Sequence, residues 1–416
     1  MMKVGAKMWV ACSLIGWFSQ ALGIVSGQNM TAKDYFLTGT AKFRCQACKM
    51  AIADFTKSLA LKEDYAEAYY GRGLAYSCIS KYPMALQDME KAIRLQPGQV
   101  LYREGKARII QAAGDHQESI GEFQKAIQMD GRCWQAWYGL AQSHAKLDSN
   151  ALSRKAYEEA IRLNADFPMS YVGLAEVKLE DGDADEAMAD LLTAKQLAPE
   201  YPHVYELSSL SQLQQGNYQK AIEYATTGVA MNPGNLKARY YRAEAYMATE
   251  EYYNADADYA LVVKKDKQNA LLWYKRGFCN EKFGDLVAAK RYYGKSLKRS
   301  SVITEAYANR ASIWEKFGKP KKALPDLNQA LALDPQNVSL RLRRGYVFLS
   351  LWEVQNAIDD FVKATQDFPQ SGEAFLGLGI ARHQNGNTKD ACDAWRQASM
   401  LNEPRAADQL AQFCTQ

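Results

Sequence analysis

The chain has 416 residues, too many for a single compact core, so several domains or a repeat array are expected. A hydrophobic content of 48% with 24% charged residues is typical of an ordered, soluble chain, and a net charge of +4 does not favour a nucleic-acid-binding protein. Eight cysteines are too few for a small disulfide-stabilised scaffold.

Residues 1–27 have the pattern of a secretory signal peptide. Lys3 and Lys7 precede an apolar run from Met8 to Val25, and small residues follow. Polar residues interrupt this run, which makes it a weak candidate for a transmembrane helix. We therefore predict a signal peptide over residues 1–27. A retained N-terminal anchor and an ordinary first helix are the alternatives.

A 34-residue repeat begins at Ala32. Eleven consecutive repeats fit without a gap and end at Arg405. Position 20 of every repeat is Ala or Ser, and position 8 is Gly, Ala or Ser. Position 24 is large and apolar in ten repeats, and position 32 is Pro in five. A period of this length predicts a solenoid or another repeat architecture.

The positions within a repeat predict two helices. Positions 4, 7, 8 and 11 lie on one face of a first helix, and positions 20, 24 and 27 lie on one face of a second. Small residues at 8 and 20 let the two helices approach closely, and Gly near position 15 ends the first helix. Pro325 falls inside the second helix of the ninth repeat, which predicts a late start or a kink there.

This pattern resembles the tetratricopeptide repeat family over residues 32–405. The resemblance implies an all-α fold, a right-handed superhelix (α-solenoid) of paired antiparallel helices with a concave groove. Residues 406–416 begin a further first helix, and we expect a C-terminal capping helix that covers the last repeat. The ending from Asp390 to Cys414 also resembles the C-terminal repeat of exported proteins of this family from Gram-negative envelopes.

The cysteines suggest disulfides more than chemistry. Cys45 and Cys48 form a CxxC, but they lie in a turn between two helices and not after a strand, as a thioredoxin-like motif would. No metal site and no cofactor are expected. Cys48 or Cys45 could reach Cys78 at the adjoining helix end. Cys392 and Cys414 in the cap are a second possible bridge, and two buried thiols are the alternative. In an oxidising compartment disulfides at these pairs would crosslink the helices at both ends of the repeat array.

In the family, positions 2, 5, 6, 9, 12 and 13 of the first helices line the groove. Rings mixed with cations there suit a peptide with apolar and acidic side chains, although single rings could instead only pack between repeats. The Lys and Asn arrangement that some family members use to hold a C-terminal carboxylate is missing. The predicted partner-binding residues are Tyr70, Tyr138, Tyr240, Tyr241, Tyr274, Lys275, Phe278, Lys282 and Tyr346.

Charge is uneven along the chain. Residues 168–201 contain eight acidic and two basic residues, whereas residues 270–371 contain seventeen basic and ten acidic residues. Such separation could orient a partner along the groove, and the plainer interpretation is that these charges sit on solvated outer helices. The acidic segment interrupts any continuous basic stripe, so no nucleic-acid partner is expected.

These features predict a non-enzymatic scaffold that binds a protein or peptide partner in the groove. No small-molecule substrate is expected, and membrane contact is expected only if the N-terminal run is retained. The predicted location is an exported compartment: the periplasm or cell envelope, or a secretory lumen in a eukaryote. A self-assembling structural envelope protein is one alternative, and a thiol-redox protein that uses Cys45 and Cys48 is another.

Overall fold

The structure is a computed structural model that describes residues 30–414. The predicted signal peptide or anchor lies outside the described residues. Within them the chain forms 23 α-helices and no β-strand, so the predicted all-α class is confirmed. None of the helices in this part of the chain is long and apolar enough to cross a membrane.

Helices α1 to α22 form successive pairs that follow the 34-residue period, and α23 comes last. The first helices of the pairs are α1 (Ala32–Arg44), α3 (Ala66–Cys78), α5 (Val100–Ala113), α7 (Trp134–Lys146), α9 (Pro168–Asp181), α11 (Pro202–Gln214), α13 (Leu236–Ala248), α15 (Ala270–Lys282), α17 (Thr304–Lys316), α19 (Val338–Ser350) and α21 (Gly372–Gln384). The second helices are α2 (Cys48–Leu61), α4 (Tyr82–Leu95), α6 (His116–Met129), α8 (Asn150–Leu163), α10 (Ala184–Leu197), α12 (Tyr218–Met231), α14 (Tyr252–Lys265), α16 (Leu286–Leu297), α18 (Pro320–Leu333), α20 (Val354–Asp367) and α22 (Thr388–Met400), followed by α23 (Pro404–Phe413).

The chain divides into two compact bodies. The N-terminal body ends at Ala238 and the C-terminal body begins at Arg239. Within the N-terminal body each second helix packs against its own first helix, and α2, α4, α6, α8 and α10 also pack against the next first helix. Consecutive first helices contact each other from α1 to α11. In the C-terminal body α19 and α21 make the same first-helix contact.

Each first helix ends in a residue with left-handed backbone geometry at position 15. Gly114, for example, caps α5 at φ 98°, as the glycine pattern predicts. In five repeats a residue other than glycine adopts this geometry, and Trp352 at φ 60° is the largest of them. The turn between paired helices therefore has one conformation whatever residue occupies it.

In two repeats the ring at position 24 fits into a slot formed by glycines on neighbouring first helices. A Cβ added to Gly39 would lie 3.0 Å from the Phe55 ring, and one added to Gly71 in the next repeat would lie 2.7 Å from it. Phe361 sits in the same way between Gly345 and Gly377. The absence of side chains at these positions lets a fully buried ring lie between two helix backbones.

Two helix boundaries differ from the sequence-based expectation. Helix α18 begins at Pro320, as the 34-residue period requires, and continues through Pro325 to Leu333. The late start predicted for this helix is therefore wrong. Proline is favourable at the first position of a helix, where its missing N–H has no partner to lose. The capping helix begins at Pro404 for the same reason, two residues before the predicted Ala406, which is fully buried.

Candidate functional site

The surface that positions 2, 5, 6, 9, 12 and 13 of the first helices form is called here the first-helix face. Its residues come from different repeats of one body. Consecutive first helices contact each other from α1 to α11 in the N-terminal body, and α19 contacts α21 in the C-terminal body. Each body presents its own first-helix face. The predicted partner-binding residues all map to this face, two in the N-terminal body and seven in the C-terminal body.

In the C-terminal body the predicted rings form two pairs. The rings of Tyr240 and Tyr241 lie 6.0 Å apart, and those of Tyr274 and Phe278 lie 6.5 Å apart. All four side chains are half-buried, and Tyr274 also packs 5.8 Å from the buried ring of Tyr293. These rings therefore pack against the repeat core on one side and remain partly open on the other.

The two predicted lysines have different environments. Lys275 donates to Glu244 in an ion pair, and its Nζ also lies 3.3 Å from the hydroxyl of Tyr240. Glu244 accepts a second hydrogen bond of 2.5 Å from Tyr259. Lys282, in contrast, is exposed and lies over the ring of Phe278 at 5.2 Å. Only Lys282 of the two therefore has a side chain that a partner could contact without breaking an ion pair.

Tyr346 belongs more to the core than to an open surface. Its ring lies 5.1 Å from the ring of Phe361, and its buried hydroxyl has no hydrogen-bond partner in the described residues. Burial raises the pKa of this phenol to about 12. In the N-terminal body, Tyr70 is similar: it packs 5.1 Å from Tyr102, and burial with the nearby Glu104 carboxylate raises its pKa to about 12.

Tyr138, the other predicted residue of the N-terminal body, lines a cavity of about 280 Å³ on the first-helix face. We call it the α5–α7 cavity. Three rings border it: Phe167 lies 4.7 Å from Trp134 and 5.1 Å from Tyr138, edge to face. Gln111, which also lines it, is satisfied by Gly139 and Ser143 at 2.9 and 2.8 Å.

Sequence reasoning missed the most unusual residue of this cavity, Glu104. Its side chain is only 3% exposed, and burial raises the pKa of the carboxyl group, an effect that Arg108 partly opposes. A signal was available, because position 5 holds a ring or an aliphatic residue in nine repeats and Glu only at Glu104 and Glu206. A charged residue at an otherwise apolar position indicates a specific role.

Sequence reasoning also missed a recurring ion pair on the opposite side of the first helices. Arg at position 7 donates two hydrogen bonds to Asp at position 23 of the same repeat. The carboxylates are nearly fully buried. The pairs are Arg72–Asp88, Arg242–Asp258, Arg310–Asp326 and Arg344–Asp360. This arrangement joins the two helices of a hairpin and is structural.

The cysteines form two disulfides. Cys48 is bonded to Cys78, and Cys392 is bonded to Cys414. Of the two candidates for the N-terminal bridge, the structure uses Cys48, the first residue of α2. The second bridge ties α22 to the end of α23, where the ring of Phe413 stacks 4.3 Å from the ring of His383.

The fold and its first-helix faces define an α-solenoid built from helix pairs. Profiles of the tetratricopeptide repeat match residues 66–99, 104–163, 138–202, 212–277 and 315–371, together more than half of the chain. The chain belongs to the tetratricopeptide repeat family.

Relatives resemble the chain at low identity. The mouse DnaJ homolog subfamily C member 7 is 23% identical over 350 residues, which cover 77% of this chain and 71% of that protein. Hsp70-Hsp90 organizing protein 2 of Arabidopsis thaliana is 25% identical over 56% of this chain, which spans only 43% of that protein. Among solved structures, PilF of Pseudomonas aeruginosa superposes on 51% of this chain and 97% of its own, with a TM-score of 0.46 and 14% identity.

Proposed function

We propose that the chain is a non-enzymatic scaffold that holds a partner protein or peptide on its first-helix faces. The observation that carries the proposal is the run of half-buried rings at Tyr240, Tyr274 and Phe278, which consecutive first helices place on one face of the C-terminal body. Half-buried rings offer a partner apolar area at little entropic cost because the core already restrains them. Membership of a repeat family with relatives such as an Hsp70–Hsp90 organizing protein supports an interaction role.

The proposed location is an exported compartment, the periplasm or cell envelope. The signal-like run of residues 8–25 supports it, as do the two disulfides, since disulfides persist in oxidising compartments and are rare in the cytosol. Fractionation of cells that express the full chain, with the intact mass of the purified protein, tests this. Retention in the cytosol with reduced cysteines would contradict it.

The thiol-redox alternative has less support. A CxxC redox pair needs both thiols to exchange with each other, but Cys48 is bonded to Cys78 in a neighbouring repeat. Light scattering of the purified chain tests the self-assembly alternative directly.

The groove proposal is tested by comparing two triple variants as baits in a pull-down from the native envelope fraction. One variant carries Tyr240→Ala, Tyr274→Ala and Phe278→Ala. The matched control removes three rings of the same body outside the first-helix face positions, Tyr253, Phe283 and Trp352, which are 74%, 41% and 78% exposed.

We expect a partner that the wild-type chain and the control retain and that the first-helix variant loses. A partner that both variants retain, or that both lose, would contradict binding on this face. Circular dichroism of all three baits checks that the helices are intact.

A further inference from the structure

The α5–α7 cavity contains a buried carboxylate, Glu104, whose Oε1 accepts no hydrogen bond from the described residues. Its one ion-pair partner is Arg108, whose Nη1 is 3.6 Å from Oε1. That distance is too long for a hydrogen bond. The Arg108 side chain is 62% exposed, so it lies at the rim of the cavity.

Two other buried glutamates of the same body accept hydrogen bonds from described residues, although Oε1 of Glu206 accepts none either. Glu122, in the same repeat and 6% exposed, pairs with Lys125 at 2.8 Å and Arg103 at 3.2 Å. Glu206, at the same position of another repeat, accepts a hydrogen bond of 2.8 Å from Asn235. Burying a carboxylate without donors costs free energy, and a donor group placed in this cavity would offset that cost at Glu104.

The walls of the cavity suit a cation. Trp134, Tyr138 and Phe167 present three rings around one space, and the faces of aromatic rings attract ammonium and guanidinium groups. The volume of about 280 Å³ is just below the range of about 300–1,000 Å³ for whole small-molecule sites. It therefore fits one side chain of a longer ligand better than a complete metabolite.

The neighbouring charged residues also favour a positively charged ligand. Glu176 and Glu180 lie on α9 at positions 9 and 13 of the first-helix face. The charge of Glu176 contributes to the raised pKa of Tyr138, which places it near the cavity. On α5, α7 and α9 the first-helix face positions hold three carboxylates, Glu104, Glu176 and Glu180, and two cations, Arg108 and Lys146, so this part of the face has a net negative charge that favours a positive ligand.

We propose that the α5–α7 cavity binds the side chain of a lysine or arginine from an extended segment of a partner protein, with Glu104 as the acceptor and the three rings as the walls. This deepens the proposed function and rests on it, because it assigns the chemistry of one subsite on the first-helix face of the N-terminal body. An acidic side chain could pair with Arg108, but it would meet the three carboxylates. An apolar side chain would leave Glu104 unsatisfied.

The test uses a displayed library of random linear peptides, selected on the full chain with both disulfides formed. We expect the recovered peptides to share one Lys or Arg. Its replacement by Gln should weaken binding to the wild-type chain by about tenfold or more, the loss expected for a charge-assisted hydrogen bond. Glu104→Gln, which keeps the shape of the side chain, should weaken the original peptide equally, and the two changes together should cost little more than either alone.

The matched control is Glu122→Gln. It removes the same charge from the same repeat, but from a carboxylate that is ion-paired on the other side of the hairpin. We expect it to lower the melting temperature and leave peptide affinity unchanged. Glu104→Gln should instead lower peptide affinity. Its melting temperature should stay the same or rise, because the change removes a buried charge. A purely structural role for Glu104 would not produce this split.

Two results would overturn the proposal. One is the selection of peptides that share no Lys or Arg, and the other is full affinity of the selected peptides for Glu104→Gln. Either would show that the cavity does not bind a positively charged side chain. If the triple variant Tyr240→Ala, Tyr274→Ala and Phe278→Ala still failed to bind such peptides, binding on the first-helix face would be supported and only the proposed subsite would be wrong. Failure to select any peptide would contradict both the proposed subsite and the proposed scaffold function.

Discussion

Arg72 and Asp88 form a two-pronged ion pair across the helical hairpin of the second repeat: Nε donates to Oδ2 and Nη2 donates to Oδ1, both at 2.8 Å. Asp88 is 5% exposed, and the guanidinium also lies between the rings of Tyr69 and Tyr76 at 5.5 and 5.9 Å. The bond to Asp88 raises the pKa of Arg72 against the opposite effect of burial. The same pair recurs in three other repeats, so it is a regular part of this array.

Breaking one partner of this pair should be costly. Arg72→Leu leaves Asp88 buried without a cation and should lower the free energy of unfolding by about 3 kcal/mol, the low end for buried pairs because the Arg72 side chain is 18% exposed. Arg72→Leu with Asp88→Leu should come within about 1 kcal/mol of the wild type. Arg396→Leu, which breaks a pair with both side chains more than half exposed, is the control and should cost less than about 1 kcal/mol. Urea unfolding followed by circular dichroism measures all three, and equal losses for Arg72→Leu and the control would contradict the prediction.

Two glycines of the N-terminal body should respond to alanine in opposite directions. At Gly139 an added Cβ would lie 2.2 Å from the buried ring of Phe123, so Gly139→Ala should destabilise by about 1–3 kcal/mol. At Gly121, inside α6, nothing lies within 4 Å, and Gly121→Ala should stabilise by about 0.5–1 kcal/mol through helix propensity. Thermal melts of both variants check this, and a loss of stability at both sites would contradict it.

The C-terminal disulfide should hold the capping helix in place. Replacing Cys392 and Cys414 by Ala opens a link with a sequence separation of 22, which should cost about 2–4 kcal/mol and increase hydrogen exchange in α22 and α23. The control replaces Cys48 and Cys78 and should leave exchange in the cap unchanged. Equal protection of α23 with and without its disulfide would show that packing of Phe413 alone is enough.

A backbone prediction concerns Trp352. This residue has φ 60° and its side chain is 78% exposed, so Trp352→Gly relieves left-handed strain and loses little packing. We expect a gain of about 0.5–1 kcal/mol after the greater entropy of glycine in the unfolded chain is subtracted. Glu353→Gly, at φ −86° in the next position, has no strain to relieve and should be destabilising. A gain from both changes would rule out the strain explanation.

The buried tyrosines predict a loss of stability in alkali. Burial raises the pKa of Tyr70, Tyr102 and Tyr346 to about 12, whereas an unfolded tyrosine titrates near about 10. Their contribution to stability is therefore complete below about pH 10 and is lost as the pH rises to about 12. Tyr346→Phe removes one of these groups and a buried hydroxyl that lacks a partner. Its melting temperature should fall less steeply with pH than that of the wild type, and parallel curves would contradict the prediction.

The sequence by itself determined the repeat, the paired helices and most of their ends. These follow from residues close together in the chain: the period of small and large positions, Gly114 and its equivalents at position 15, and proline at a first helical position such as Pro404. Local backbone preference and a short period are enough to define each hairpin. The all-α fold and the family could therefore be predicted.

The tertiary structure decided which side chains are satisfied. Lys275 looked like an open cation, yet it pairs with Glu244 in the preceding repeat, 31 residues away. Glu104 looked like one acid among many, yet it lies buried beside three rings, and its Oε1 accepts no hydrogen bond from the described residues. A repeat pattern fixes the position of a residue on its helix. Whether a charged side chain has a partner depends on the distance between neighbouring helices, and that distance is set by packing between residues far apart in the chain.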